Sequence, residues 1–186
     1  MEIKELKLKG VFEIKLNPNI DERGFFMRTF DNKIFEEAGL KHNWVQENHS
    51  FTIKKNTIRG LHLQLPPFSE SKLIRCIRGK ILDVFVDLRK QSSTFGQWDA
   101  LEISEDAFNA VLIPRGFAHG FCTLTDNCEV IYKVDNYYSP PHEIGLLWND
   151  EYLKIEWPAE KPKLSEKDNK NITLSEFIKK YKSIEV

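Results

Sequence analysis

Short apolar stretches alternate with turn residues from Trp44 to about Tyr138. Residues 44–53, 57–64, 72–77, 81–88, 98–103, 110–113, 118–123 and 129–134 each read as a strand. This spacing suits a sandwich or a barrel and leaves no room for βαβ units. Within residues 81–87, Leu82, Val84 and Val86 share one face, while Ile81, Asp83, Phe85 and Asp87 share the other. Asp83 therefore sits beside two large apolar residues. Two readings of it are open: it points into a pocket, or it bonds backbone at a barrel mouth.

The flanks follow the same logic. Residues 1–10 mix charged and apolar positions, which fits an edge strand or an arm exchanged with a partner. Residues 11–16 alternate as a strand, Asn17-Pro18-Asn19 turns, and Asp21-Glu22-Arg23-Gly24 leads into a second strand over 25–30. Asp31 is placed to cap a short helix over 33–38 that Gly39 ends. Near the end, Thr173-Leu174-Ser175-Glu176 is a capping box, and Leu174, Phe177, Ile178 and Tyr181 follow at helical spacing. This predicts a helix over about 173–183, packed outside the barrel. The expected fold is all-β, one domain over 1–186, with a few short helices.

Composition narrows the function classes. A chain of 186 residues that is 41% hydrophobic, with 13 Phe, can bury a β-rich core. A net charge of −1 gives no reason to expect nucleic acid or an acidic membrane as partner. The three cysteines, Cys76, Cys122 and Cys128, have no paired spacing and read as reduced, packed thiols. The N-terminus lacks an apolar signal region, and no segment approaches the ~20 apolar residues of a membrane span. A cytoplasmic location is expected.

Two motifs carry the chemistry. One is Arg59-Gly-Leu-His62-Leu-Gln64 with Lys72 and Gly79 downstream; the other is Ile113-Pro-Arg-Gly116-Phe-Ala-His119-Gly-Phe121. Their spacing resembles the two motifs of a cupin (jelly-roll) barrel. The resemblance implies metal ligands at the positions of Gln64 and Lys72, and those ligands are missing. An ammonium cannot coordinate a cation while protonated, so no metal and no cofactor is expected. A barrel with a stray His and Lys inside it is the bland alternative. Burying charge without use or pairing is costly, which argues against it.

Further motifs sharpen the resemblance. Asp21-Glu-Arg-Gly-Phe-Phe26, Gln46-Glu-Asn48-His-Ser, Ser93-Thr-Phe-Gly-Gln-Trp98, Tyr132-Lys, Asn136-Tyr-Tyr-Ser-Pro140, Leu147-Trp-Asn-Asp150, Ile155-Glu-Trp-Pro158 and Leu164-Ser-Glu-Lys-Asp168 occur in order. Over roughly residues 10–170 the chain resembles the dTDP-4-dehydrorhamnose 3,5-epimerase family. The resemblance implies proton removal and return beside a ketone, at C-3, C-5 or both, of a nucleotide-diphosphate 4-keto-6-deoxy sugar. Such chemistry needs a base that titrates near neutrality, an acid on the other face, and a cation at the ketone oxygen.

By resemblance His62 is the base, Asp168 its carboxylate partner, Tyr132 the proton donor and Lys72 the enolate stabiliser. From residue type alone, Asp168 reads as a turn Asp in the polar run 165–171, and Asp83 is a reserve candidate for orienting the base. Arg23, Arg59, His119, Gln46 and Asn48 match the diphosphate-binding set, and Phe26 falls within the first substrate-binding motif. The resemblance also implies a homodimer, with residues 1–30 as the exchanged segment.

One departure stands out: Arg28 occupies a position where many members carry Glu. A guanidinium donates and cannot accept, so it suits guanine better than thymine. That leads to the expectation of a GDP-linked hexose or heptose, in deoxysugar, capsule or lipopolysaccharide synthesis, with the dTDP sugar of the rhamnose pathway as the alternative. A ketoisomerase and a non-catalytic sugar-binding cupin are the competing readings.

Overall fold

The structure, a computed structural model, describes all 186 residues. Thirteen strands and two α-helices follow in the order β1 (Glu2–Glu5), β2 (Phe12–Lys15), β3 (Asn19–Asp21), β4 (Gly24–Phe26), α1 (Asn32–Glu37), β5 (Gln46–Thr52), β6 (Ile58–Gln64), β7 (Lys72–Arg78), β8 (Lys80–Asp87), β9 (Trp98–Ser104), β10 (Asn109–Ile113), β11 (Phe117–Thr123), β12 (Cys128–Val134), β13 (Glu143–Gly145) and α2 (Leu174–Tyr181). The strands form a six-stranded sheet in the order β1-β2-β10-β7-β12-β5 and a five-stranded sheet in the order β13-β6-β11-β8-β9. Every named strand pair is antiparallel. The β3–β4 hairpin stands apart as a two-stranded ribbon.

The period-2 alternation of β8 is resolved as expected. Ile81 and Phe85 pack in a cluster with Ile74, Val111 and Phe121, between the sheets. Val84 and Val86 face the other way and pack with Leu61, Leu174 and Phe177. Helix α2 thus closes the outer face of the five-stranded sheet. Thr173 accepts from the Glu176 backbone and Glu176 returns the bond, so the predicted capping box forms. Burying Phe177 completely stabilises this contact by about 2 kcal/mol.

The predicted strand over 25–30 ends early, at Phe26. Met27 and Phe30 turn inward onto the cluster of Ile14, Phe35 and Leu112, which halts the pairing. Asp31 caps α1 by accepting from Lys33 N, as expected. β1 is the edge of the larger sheet, and β2 pairs with the chain's own β10. The three thiols are free and buried; burial pushes Cys76 up to about 12 and Cys122 up to about 11, which makes them inert packing groups. No helix is long and apolar enough to cross a membrane.

Candidate active site

A cavity of about 890 Å³ opens between the sheets. His62 reaches it from β6 in the five-stranded sheet, and Tyr132 and Lys72 from β12 and β7 in the six-stranded sheet. The local backbone of β6 makes this possible. Gly60, at φ +121°, crosses Gly120 so closely that a Cβ on Gly60 would lie 2.5 Å from the Gly120 Cα. The β6–β11 register shifts there, and His62 comes to lie directly opposite His119.

Each imidazole is held by its own carboxylate. His62 Nε2 lies 2.6 Å from Asp168 Oδ1, and His119 Nε2 lies 2.8 Å from Asp83 Oδ2. Burial works against the charge of Asp168, but the His62 hydrogen bond and its charge, with Ser165, outweigh burial and hold the carboxyl below the usual range. In Asp83 burial wins over His119 and Lys72, and the carboxyl is raised. Asp83 therefore does not orient His62, as the reserve reading had it; the β8–β11 pairing delivers it to His119 instead. Its Oδ1 is fully buried without a partner.

Lys72 is buried and pairs with Glu70 at 3.1 Å. Gln64 holds the same Glu70 at 2.8 Å, bonds the Phe68 and Tyr137 carbonyls, and accepts from Ser139 N at 2.6 Å. Two of the positions where a cupin ligates its metal are thus a cation and a structural strut. Burial first, then the charges of Glu70 and Glu143, push the Tyr132 phenol up, so it stays protonated.

Arg59, Asn48, Gln46 and His119 also line the cavity. Arg59 is aimed by bonds to Thr52 Oγ1 at 2.9 Å and the Phe51 carbonyl at 3.2 Å. Gln46 spends its oxygen on Tyr138 N at 2.8 Å. Arg23, Phe26 and Arg28 are not brought to this cavity. Arg23 pairs with Asp21, Phe26 is 70% exposed, and Arg28 pairs with Asp31 at 3.2 Å on the surface. The residues that sequence reasoning missed are Glu70 and Glu143. Neither had a motif of its own: Glu70 pairs with Lys72 and Gln64 close by in the chain, and Glu143 with Tyr138 nearby and Lys167 further on.

A cupin-type barrel whose pocket holds a carboxylate-paired imidazole, a phenol and an ammonium is built for acid–base chemistry beside a carbonyl. The profile of the dTDP-4-dehydrorhamnose 3,5-epimerases matches residues 5–176, and the chain belongs to that family. It is an isomerase, a nucleotide-sugar epimerase. The Shigella flexneri dTDP-4-dehydrorhamnose 3,5-epimerase is 51% identical over 149 residues, covering 80% of this chain and 82% of that protein. The crystal structure of the Bacillus anthracis enzyme with TDP and PPi bound superposes with a TM-score of 0.91 at 44% identity, covering 93% of this chain and 99% of that one. The Legionella pneumophila enzyme in complex with dTDP-4-keto-L-rhamnose gives 0.89 at 36% identity, covering 94% and 93%.

These findings lend no support to the expectation of a GDP-linked substrate. The relatives are named for dTDP sugars, and Arg28 lies in an exposed ion pair, where it gives no ground for reading guanine.

Proposed function

We propose that this chain epimerises C-3 and C-5 of a dTDP-linked 4-keto-6-deoxy sugar, in the rhamnose pathway, without a metal. The observation that carries the reading is the His62–Asp168 pair at 2.6 Å in one cavity with Lys72 and Tyr132. The names of the relatives supply the nucleotide and the two carbons.

In this reading His62 removes the proton from the carbon next to the ketone, and the C–H electrons move to the carbonyl oxygen. The Lys72 ammonium donates to that oxygen as it becomes an enolate. Tyr132 returns a proton from the opposite wall; solvent then reprotonates the phenolate and takes the abstracted proton from the imidazolium, which resets both groups. Asp168 steadies the imidazolium, as the third member of a triad does. Arg59 and His119 face the diphosphate; a guanidinium fork suits its oxygens. Arg23 and Phe26 would enter the cavity of a second copy, carried on the β3–β4 hairpin of a homodimer. The exposed Ile20, Phe25 and Phe26 on that hairpin support this role.

Incubation in D2O with equal amounts of dTDP- and GDP-linked 4-keto-6-deoxy sugars tests the reading by mass spectrometry. Two deuterons in the dTDP sugar and none in the GDP sugar are expected. Exchange confined to the GDP sugar, or exchange into neither, would refute it.

A further inference from the structure

Lys72 sits where its strand begins, and strand ends are where ladders open first. It is the first residue of β7 and the last rung on both sides, opposite Val134 of β12 and Ile113 of β10. Its ammonium has one carboxylate partner, Glu70 at 3.1 Å, and Glu70 lies two residues earlier on the loop that enters β7. An ammonium that must meet one carbonyl oxygen therefore depends on whatever fixes residues 70–72.

Asp135 is the group that fixes them. It follows β12 directly, and its Oδ1 accepts from Ser71 N at 2.7 Å, so a side chain adds one bond beyond the last rung of the β7–β12 ladder. The same carboxylate gathers two other strand ends. Its Oδ2 lies 3.2 Å from His42 Nδ1, ahead of β5, and Arg115 Nε, ahead of β11, donates to both oxygens at 3.3 Å. The Asp135 side chain is only 8% exposed. Burial opposes its charge, yet the bonds from His42, Ser71 and Arg115 outweigh burial and hold the carboxyl below its usual range. The next residue continues the grip: Asn136 Nδ2 donates to the Pro67 and Ser69 carbonyls at 3.1 and 3.2 Å. The loop that carries Glu70 is thus held at residues 67, 69 and 71. Asp135 does this from outside the catalytic cavity. It lines a second cavity of about 440 Å³ with Ser71, His42 and Arg115, and the two cavities share no residue.

We propose that Asp135 is a positioning residue of the epimerisation: its carboxylate clamps Ser71 N from the second cavity and thereby sets the place of the Lys72 ammonium and of its partner Glu70. Arg115 and His42 aim the carboxylate, and the bond to Ser71 does the positioning. Ser71 and Lys72 are consecutive, so a loop freed at Ser71 lets the ammonium drift from the developing enolate oxygen. A drift of about 1 Å costs up to roughly 100-fold in rate.

The second cavity supplies a readout that a merely structural role would not move. In Asp135→Ala the lost carboxylate leaves a gap on an open wall, where formate can enter and accept from Ser71 N. The test measures deuterium incorporation into the dTDP-linked 4-keto-6-deoxy sugar by wild type, Asp135→Ala, Asp135→Asn and Arg115→Met, in formate and in chloride at equal ionic strength, with Tm for each. The clamp predicts that kcat falls about 10- to 100-fold in Asp135→Ala while KM stays within about threefold. Formate, and not chloride, raises that kcat at least about threefold and leaves wild type unchanged. Asp135→Asn keeps an oxygen for Ser71 N and recovers part of kcat. Arg115→Met keeps the Ser71 bond and stays within about threefold of wild type. Tm of Asp135→Ala falls by up to about 10 °C, because buried donors lose their acceptor, so rates are read well below the lowest Tm. If Asp135→Ala does not fold, Asp135→Asn carries the comparison and must fall below Arg115→Met in kcat. Wild-type kcat in Asp135→Ala, a loss confined to KM, a loss in Arg115→Met as large as in the Asp135 variants, or no response to formate would each overturn the proposal. It rests on the epimerase reading, and the wild type separates the two. No wild-type exchange defeats the reading itself, whereas wild-type exchange with an unimpaired Asp135→Ala defeats only the clamp.

Discussion

His62 and Asp168 are separated by 106 positions, yet their bond at 2.6 Å is the shortest contact that either catalytic imidazole candidate makes to a carboxylate. Asp168 also receives the Gly60 backbone N–H. Its carboxyl is held below the usual range, so its ionisation favours the folded state. The sign follows: that contribution is complete above the unfolded value of about 4 and disappears as pH falls through the depressed folded value. Asp168→Asn keeps the shape and loses the charge. At pH 7 it should unfold about 1–3 kcal/mol more easily than wild type. The gap in Tm should close as pH is lowered from about 4, as followed by circular dichroism. Deuterium exchange should drop about 100-fold at every pH where both proteins are folded. A Tm gap that widens in acid would contradict this assignment of the charge. His62, Gln64 and Lys72 were legible in the sequence because they lie within one motif. The partner of His62 was legible only through resemblance, because no local pattern marks which remote carboxylate the fold delivers. Asp83 shows the same limit, since one strand register sent it to His119.

At the scale of elements, the strands with alternating apolar positions were readable to within a residue or two in β6 through β12. The pattern failed where pairing, not alternation, makes the strand. β13 has only three residues, follows Pro140 and Pro141, and exists because β6 needs a partner on that edge. β4 stopped four residues before the predicted end because Met27 and Phe30 found a core cluster. Helix α2 was readable because its cap and its apolar face are both local features. Its distance from the chemistry gives a clean prediction. Thr173→Ala removes the side-chain half of the capping box and should cost about 1 kcal/mol. For a chain of this size that lowers Tm by about 2–4 °C. Exchange kinetics at 25 °C should be unchanged, because α2 packs on the outer face through Leu174 and Phe177. Impaired kinetics in this variant would mean that the outer face communicates with the cavity.

The whole molecule raises a question that one chain does not answer by itself. The site gathers His62, Lys72, Tyr132, Arg59 and His119, while Arg23 and Phe26 ride on a hairpin whose large side chains face outward. Exposed aromatic residues flanked by a charged pair mark a contact surface rather than a free end. The proposed homodimer sends this hairpin into the partner's cavity, and such sharing can be tested by mixing inactive proteins. His62→Asn lacks the proposed base but keeps Arg23; Arg23→Ala keeps the proposed base but lacks the guanidinium. Each alone should be poorly active at low substrate. When the two are mixed in equal amounts and allowed to exchange subunits, half of the dimers are mixed. In these the Arg23→Ala subunit has its own His62 and receives an intact Arg23 from its partner. One site in two is then complete, and activity should rise to about a quarter of the wild-type value. If Arg23 served its own chain, no mixed dimer would contain a complete site, and activity would stay at the average of the two variants.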